Sequence, residues 1–229
     1  MVARTHVEVL IAPGKPEFAE ALERIQQVVY GEDKDDVLSD SLHADHFRRH
    51  LEIFPEGQFV AIDPLTGQII GHTASMLIHY DPSRPFLEPW PVTTGNGYLT
   101  THQPDGEWMY GVESAVLPEY QGHGVGSRLY AARFDLARRL NLRGMVAGST
   151  IMDYHRYADQ MTPEQYVEAV AAGFLYDNNL TKQLRKGFRV INIIPNYVTD
   201  TLSCGYGAAI VWDNPDYDPG KPSPFRLTA

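Results

Sequence analysis

The sequence predicts a mixed α/β fold. Segments with the alternating pattern of strands are interleaved with segments of helical periodicity, which is the order expected of this class. A length of 229 residues suits one such domain, or at most two small ones, and a hydrophobic fraction of 43% provides for a core of ordinary size. No repeat or low-complexity linker divides the chain. We therefore expect one domain over residues 1–229, with a proline-rich tail at 213–229.

The first half of the chain predicts strands and helices in alternation. Its clearest helix begins after Pro16 and ends at Gly31, because apolar residues recur between them every three or four positions. The other elements predicted here are a strand at 7–12, a weaker helix at 42–51, and strands at 58–62 and 68–80. Residues 81–107 are rich in Pro, Gly and polar side chains, so we expect a long loop of the kind that is often functional or mobile.

The second half begins with a strand at 108–117, a glycine-rich turn and a strong helix. One apolar stripe runs along that helix, and the arginines, Arg133 among them, are expected to lie mostly off the stripe. The remaining predicted elements are a short strand at 144–148, helices at 162–172 and 180–185, and strands at 188–194 and 206–212.

Charge and composition exclude several classes of protein. The formal net charge of -10 disfavours nucleic-acid binding, which needs Lys and Arg to neutralise phosphates. The only cysteine, Cys204, cannot form an internal disulfide. The N-terminus lacks the pattern of a signal peptide, and no apolar run approaches the roughly 18 residues needed to span a bilayer. We therefore expect a cytoplasmic protein with no membrane partner.

The most informative segment is the glycine-rich turn from Gln121 to Ser127. A strand precedes it and a helix follows, so main-chain N–H groups are unpaired where the helix dipole is positive. Gly122, Gly124 and Gly126 carry no Cβ, which lets a diphosphate approach the main chain closely. Their spacing is not that of the Rossmann fingerprint, and no Walker lysine follows, so a nucleotide-binding domain is excluded.

This turn resembles the acetyl-CoA motif of the GNAT superfamily of N-acyltransferases, Q/R-x-x-G-x-G/A, which Gln121, Gly124 and Gly126 match. A second landmark of the superfamily, a short helix that ends in Gly-Phe, is matched at Gly187-Phe188. The resemblance implies a mostly antiparallel sheet with splayed parallel strands 4 and 5 and helices on both faces. It also implies an acyl-CoA-dependent N-acyltransferase that uses acetyl-CoA.

The resemblance further implies which residues bind acetyl-CoA. The main chain at Ala115 and Val116 would hold the pantetheine arm between the two splayed strands. The diphosphate would lie on the turn and the helix start. The residues concerned are Gln121, Gly122, His123, Gly124, Val125, Gly126 and Ser127.

The C-terminal half resembles one subgroup more closely. That subgroup carries a long insertion after its fifth strand and motifs matched here at Gly187-Phe188, 194–197 and Gly205-Tyr206. Its members resemble domains that occur alongside carbon–nitrogen hydrolases of the nitrilase type. A second hypothesis is therefore a non-catalytic acyl-CoA-binding or regulatory module that partners a hydrolase.

Two residues are candidates for catalysis. Glu113 stands among small and apolar residues on the strand before the turn, so a base facing a cleft is favoured, although a surface position on the other face is the alternative. Many members of the superfamily place a Tyr where this chain has Gln183. Another group would then protonate the leaving thiolate, with Tyr154, Tyr157 or Tyr176 as candidates, or the thiolate leaves unassisted. Of the three we select Tyr154.

The acceptor is expected to be a small-molecule amine, bound between the loop at 81–107 and the insertion at 153–179, with peptides as the alternative. A homodimer is one arrangement that the sequence allows. His43, His46 and His50 lie at helical spacing, but no further ligand completes a metal set. We expect a solvated helix face and no metal.

Overall fold

The computed structural model describes residues 8–31 and 41–221. Its strands are β1 Leu10–Pro13, β2 Phe59–Ile62, β3 Ile69–Ile78, β4 Trp108–Val116, β5 Gly144–Thr150, β6 Arg189–Ile194 and β7 Gly207–Asp213. Its helices are α1 Ala19–Tyr30, α2 Ala44–Ile53, α3 Trp90–Thr94, α4 Val125–Arg139, α5 Pro163–Ala171 and α6 Leu180–Leu184. Val7 of the first predicted strand and the tail beyond residue 221 lie outside the described residues.

The seven strands form one sheet in the order β1-β2-β3-β4-β5-β7-β6. Every neighbouring pair is antiparallel except β4 and β5, which run parallel. This arrangement confirms the predicted mostly antiparallel sheet and its parallel fourth and fifth strands. Within residues 8–31 and 41–221, no helix has both the length and the apolar character that crossing a membrane requires.

Helices cover both faces of the sheet because its strands alternate side chains between two cores. On β4, Trp108 and Tyr110 belong to a core beneath α1, α2 and α3, whereas Met109 belongs to a core beneath α5, α6 and the C-terminal half of α4. The helical periodicity predicted α1 and its stop at Gly31 correctly, and Gly31 has the positive φ of 100° that favours glycine.

Residues 81–107 are more ordered than their composition indicates. They contain the short helix α3, and Trp90 and Leu99 are buried in the first core. Trp90 also donates through Nε1 to the carbonyl of Val112 on β4, at 2.9 Å, and its main-chain N–H donates to Tyr197 O, also at 2.9 Å. The segment therefore braces the middle of the sheet, and it lies on the face opposite to α5.

The expectation of a solvated histidine face on α2 is wrong for two of the three residues. His46 and His50 are buried, and their Nε2 atoms bond to the carbonyls of Asn96 and Gly97 at 3.2 and 2.6 Å. They therefore fasten the 81–107 segment to α2. Within the described part of the chain, no group of three or more His, Cys, Asp or Glu residues is placed to hold a metal ion.

Candidate active site

The sheet opens at its centre, between β4 and β5. These strands pair only from Trp108 with Gly144 to Gly111 with Ala147. Beyond that point residues 112–116 of β4 and 148–150 of β5 have no ladder between them, and we call this gap the opening. A β-bulge starts it, since Ala74 of β3 pairs with Glu113 and the next residue, Ser75, pairs with Gly111.

A buried arginine holds the bulge in place. One terminal nitrogen of Arg133 donates to the main-chain carbonyls of Ala74 and Glu113, which lie on opposite strands of the bulge. Arg133 is only 2% exposed, so the expectation that it lies off the buried face of α4 is wrong. Arg133 is buried because the two carbonyls of the bulge accept hydrogen bonds from its guanidinium and so replace water as its partners. The periodicity of α4 alone marks this position as polar and therefore as exposed.

Glu113 lies on the part of β4 that does not pair with β5, and it is partly buried. Tyr30, the last residue of α1, donates its hydroxyl to Glu113 Oε1 at 2.7 Å. Burial raises the pKa of Glu113 above its ordinary value, and hydrogen bonds from Tyr30, the Ser114 N–H and Gln26, together with the charge of Arg133, oppose that rise. A carboxylate with a raised pKa is a better proton acceptor near neutral pH.

Gln26 connects Glu113 to a buried histidine. Its amide nitrogen is 3.0 Å from His72 Nε2, and the same side chain hydrogen bonds to Glu113. Burial lowers the pKa of His72 to about 3, so the ring is neutral and Nε2 accepts from Gln26. Sequence reasoning missed this contact because α1 and β3 are 46 residues apart at these positions.

Two tyrosines cross the opening where the strand ladder stops. Tyr197 donates its hydroxyl to the carbonyl of Gly148 on β5 at 3.0 Å, and its oxygen lies 3.2 Å from the hydroxyl of Tyr110 on β4. Burial raises the pKa of Tyr110 to about 12, so this hydroxyl stays protonated. A Cβ at Gly148 would lie 2.1 Å from Tyr197 Cζ, so glycine there makes room for the ring. We call Tyr110 and Tyr197 the tyrosine wedge.

The glycine-rich turn connects β4 to α4 as the sequence predicts. Gly122 and Gly124 have φ values of 78° and 88°, and a Cβ at Gly122, Gly124 or Gly126 would meet nothing within 4 Å. The first main-chain bond of α4 runs from Arg128 N to Gly124 O at 3.1 Å. The amides that precede Arg128 in the helix have no intrahelical acceptor, which is the arrangement that binds anions at a helix N-terminus.

The main chain at the end of β4 faces the opening. Leu117 N donates to Ile70 O of β3 at 2.9 Å, so the N–H of Val116, one residue earlier, is directed away from β3. The carbonyl of Val116 accepts from Gln121 Nε2 at 2.9 Å. Ala115 is buried and Val116 half-buried, so the predicted pantetheine-binding residues line the same gap as Glu113.

The structure does not bring Tyr154 and Glu113 together. Tyr154 is buried in the core beneath α5, and its hydroxyl donates to the carbonyl of Met161 at 3.1 Å. Glu113 instead binds the end of α1 on the other face of the sheet. The segments expected to enclose the acceptor, 81–107 and 153–179, likewise pack their buried residues into opposite cores.

Gln183 stands beside a different tyrosine. Its side chain is buried, and Nε2 donates to the hydroxyl of Tyr130 on α4 at 3.0 Å. The ring of Tyr130 lies under two cations, with Arg133 Cζ at 5.5 Å and Lys186 Nζ at 5.2 Å from its centroid. Sequence reasoning did not select Tyr130, because its position on the partly apolar helix α4 carries no motif.

Comparisons with known proteins agree with this geometry. The profile of the acetyltransferase (GNAT) family matches residues 19–160. "Probable hydrolase YhcX" of Bacillus subtilis (strain 168) is 46% identical over 186 residues, which are 81% of this chain and 36% of that protein, so the chain spans about a third of that relative. "Uncharacterized N-acetyltransferase YkwB" of the same organism is 32% identical over 173 residues, covering 76% of this chain and 75% of the relative.

Solved structures share the fold. The GphF GNAT-like decarboxylase in complex with isobutyryl-CoA superposes with a TM-score of 0.72 at 22% identity, covering 90% of this chain and 99% of that chain. The acetyltransferase YncA of Salmonella typhimurium, with its cofactor acetyl-CoA, superposes with a TM-score of 0.51 at 17% identity, covering 94% and 98%.

Proposed function

The chain belongs to the acetyltransferase (GNAT) family, and on that premise we propose that it transfers an acetyl group from acetyl-CoA to the amine of a small molecule. The observation that carries the proposal is the opening between β4 and β5, which has a glycine-lined helix start at one end and a carboxylate on its wall. The helix start suits the diphosphate of acetyl-CoA, and the carboxylate suits the deprotonation of an amine. Structural relatives bind CoA thioesters.

Different residues of the chain serve different steps of acyl transfer. The first amides of α4 bind the diphosphate, and the main chain at Ala115 and Val116 holds the pantetheine arm. The Val116 N–H donates to the oxygen on which negative charge develops. Glu113 accepts a proton from the amine, which is cationic at neutral pH and must lose a proton before it can attack.

A carboxylate at the opening favours a cationic acceptor. Glu113 lies on the part of β4 that borders it. The formal net charge of -10 also raises the local concentration of cations, an effect that salt screens over roughly 8 Å. We therefore propose an amine with a net positive charge rather than a neutral alcohol.

The test is a turnover screen that measures release of the CoA thiol. Acetyl-CoA is supplied with polyamines, amino sugars, amino acids and peptides at two ionic strengths, and isobutyryl-CoA is the alternative donor. We expect release with at least one small amine and a slower rate at high salt. Reaction with peptides alone contradicts the small-molecule acceptor, and a preference for isobutyryl-CoA contradicts acetyl specificity.

A second candidate function is an acyl-CoA-binding module that regulates a hydrolase without turnover. The observation that favours it is the relative named a probable hydrolase, of which this chain covers 36% at 46% identity. Calorimetry and the turnover screen separate the two functions. Tight binding of acetyl-CoA, with no release of the CoA thiol in the presence of any amine tested, supports the module. Release of the thiol that depends on an amine excludes it.

A further inference from the structure

Tyr130 lies on α4 one turn after Gly126 and is directed toward α6. Its hydroxyl oxygen accepts the 3.0 Å hydrogen bond from Gln183, and its ring contacts Phe188 edge-on, with 5.9 Å between centroids. Since the oxygen accepts this bond, the phenolic hydrogen remains for another acceptor. Among residues 8–31 and 41–221, none takes that hydrogen.

Tyr130 also borders the opening. Its ring centroid is 5.5 Å from Cζ of Arg133. The guanidinium of Arg133 donates to the main-chain carbonyl of Glu113, on the part of β4 that does not pair with β5. Tyr130 therefore lies next to the gap, on the α4 side.

The other hydroxyls near the site already have acceptors. Tyr197 donates to Gly148 O at 3.0 Å, Tyr30 donates to Glu113 at 2.7 Å, and Tyr154 donates to Met161 O at 3.1 Å. Tyr130 has no such acceptor in the part of the chain that the structure describes, and the positive charges of Arg133 and Lys186 over its ring favour negative charge that develops beside it. A hydroxyl with an available hydrogen and two neighbouring cations is suited to protonate a thiolate as it leaves.

We propose that Tyr130 gives its proton to the sulfur that leaves when the thioester is cleaved, and that Gln183 is the positioning residue that orients Tyr130. This proposal rests on the acyl transfer proposed above. As the amine nitrogen bonds to the carbonyl carbon, the carbon–sulfur bond breaks and its electron pair goes to sulfur. Before attack, the cationic amine has given one proton to Glu113, which passes it to solvent. During transfer the proton of Tyr130 moves to that sulfur, the nitrogen loses its second proton to Glu113, and the phenolate regains a proton from Glu113 through solvent. The products are an amide, the CoA thiol and one proton released to solvent.

Tyr130→Phe is the first test, because it removes the hydroxyl and keeps the ring. We expect kcat to fall roughly 10²-fold, the KM for acetyl-CoA to stay within about twofold, and the alkaline limb of the kcat profile against pH to disappear. The double variant Tyr130→Phe/Gln183→Tyr should recover part of kcat, because the end of residue 183 lies 3.0 Å from the lost hydroxyl. An unchanged kcat, or a loss confined to KM, overturns the proposal.

A second measurement does not depend on turnover. CoA is bound to the protein, and its thiol is titrated by the ultraviolet absorbance of the thiolate. We expect the thiolate to form at a higher pH in Tyr130→Phe than in the unaltered protein, because a hydrogen bond to the sulfur is lost. Identical titrations overturn the proposal. If the titration shifts but the unaltered protein acylates no amine, the contact with sulfur stands and the acyl transfer fails.

Discussion

At the scale of single residues, the contact between Tyr30 and Glu113 sets the pH at which the proposed base works. The hydrogen bond from Tyr30 lowers the pKa of Glu113, against the larger effect of burial, which raises it. Removing the hydroxyl with Tyr30→Phe should therefore raise that pKa further. The acidic limb of kcat/KM should move to higher pH, because the base is active only when it is deprotonated.

Glu113→Gln is the control for that prediction. It keeps the shape and removes the base, so kcat/KM should fall roughly 10²-fold and the acidic limb should vanish. Glu168→Gln, on the exposed surface of α5, is the matched substitution that should change neither quantity. If Tyr30→Phe leaves the limb in place while Glu113→Gln removes it, the hydrogen bond does not tune the base.

Not every residue of the candidate site could be predicted from the sequence. The glycines of the turn were identifiable, since their spacing between a strand and a helix has a direct physical meaning. Arg133 was not, because periodicity marks an arginine as solvent-facing unless the bulge it binds is already known. Tyr197 belongs to the motif at 194–197, but its contact with Gly148 spans 49 residues and gives no local signal in the sequence.

At the scale of elements, the start of α4 offers a clean test of anion binding. Gly126 lacks the positive φ of Gly122 and Gly124, and a Cβ there would meet nothing within 4 Å. Gly126→Glu should therefore fold, since a negative charge stabilises a helix N-terminus. The same charge should repel a diphosphate, and we expect the Kd for acetyl-CoA to rise more than about tenfold by calorimetry.

Gly126→Ala is the matched control, because it adds the Cβ without the charge. We expect it to bind acetyl-CoA within a few-fold of the unaltered protein. Equal losses in the two variants would mean that bulk, rather than charge, disrupts the site. Undiminished binding in Gly126→Glu would show that the diphosphate lies elsewhere.

The tyrosine wedge makes a second prediction at this scale. Gly148→Ala places a Cβ 2.1 Å from Tyr197 Cζ, so the buried ring must shift. Urea denaturation should show a loss of about 1–3 kcal/mol in the free energy of unfolding. In a Tyr197→Ala background the same substitution should cost much less, since the clash is gone. Equal costs in both backgrounds would contradict the steric account.

The elements themselves were largely predictable, and their exceptions have a physical cause. Strands and helices follow from the periodicity of apolar residues, which the core requires. The composition of the segment at 81–107, rich in Pro, Gly and polar side chains, predicts a loop, yet the buried side chains of Trp90 and Leu99 anchor it to the core. His46 and His50 also hold the segment in place by hydrogen bonding to two of its carbonyls. These contacts join residues far apart in the chain, so the local composition does not predict them.

At the scale of the whole molecule, buried histidines make stability depend on pH. Burial lowers the pKa of His50 to about 4 and that of His72 to about 3, against about 6.5 in an unfolded chain. Between these values the unfolded state binds more protons, so stability is lost as pH falls below about 6.5. Between its folded and unfolded pKa values, each histidine should change the free energy of unfolding by about 1.4 kcal/mol per pH unit.

Urea denaturation between pH 6 and pH 4.5 measures this slope. His72→Gln keeps an acceptor for Gln26 and removes one titrating group, so its slope should be shallower by about that amount. His155→Gln, at an exposed position, is the comparison in which the slope should persist. A slope that is the same in His72→Gln as in the unaltered protein would mean that His72 does not remain neutral when folded.

The parts of β4 and β5 that do not pair with each other have a consequence for how the protein would respond to a supply of acyl donor. The ladder between these two strands stops at Gly111 and Ala147, so each strand beyond that point lacks a neighbour on one side, and an extended amide-bearing ligand can take that place. Such a ligand binds only the folded chain and adds RT ln(1 + [L]/Kd) to its stability, about 2.7 kcal/mol at one hundred times Kd. The lifetime of the protein in a cell would then rise and fall with the donor pool, so that abundance and activity are governed by the same metabolite.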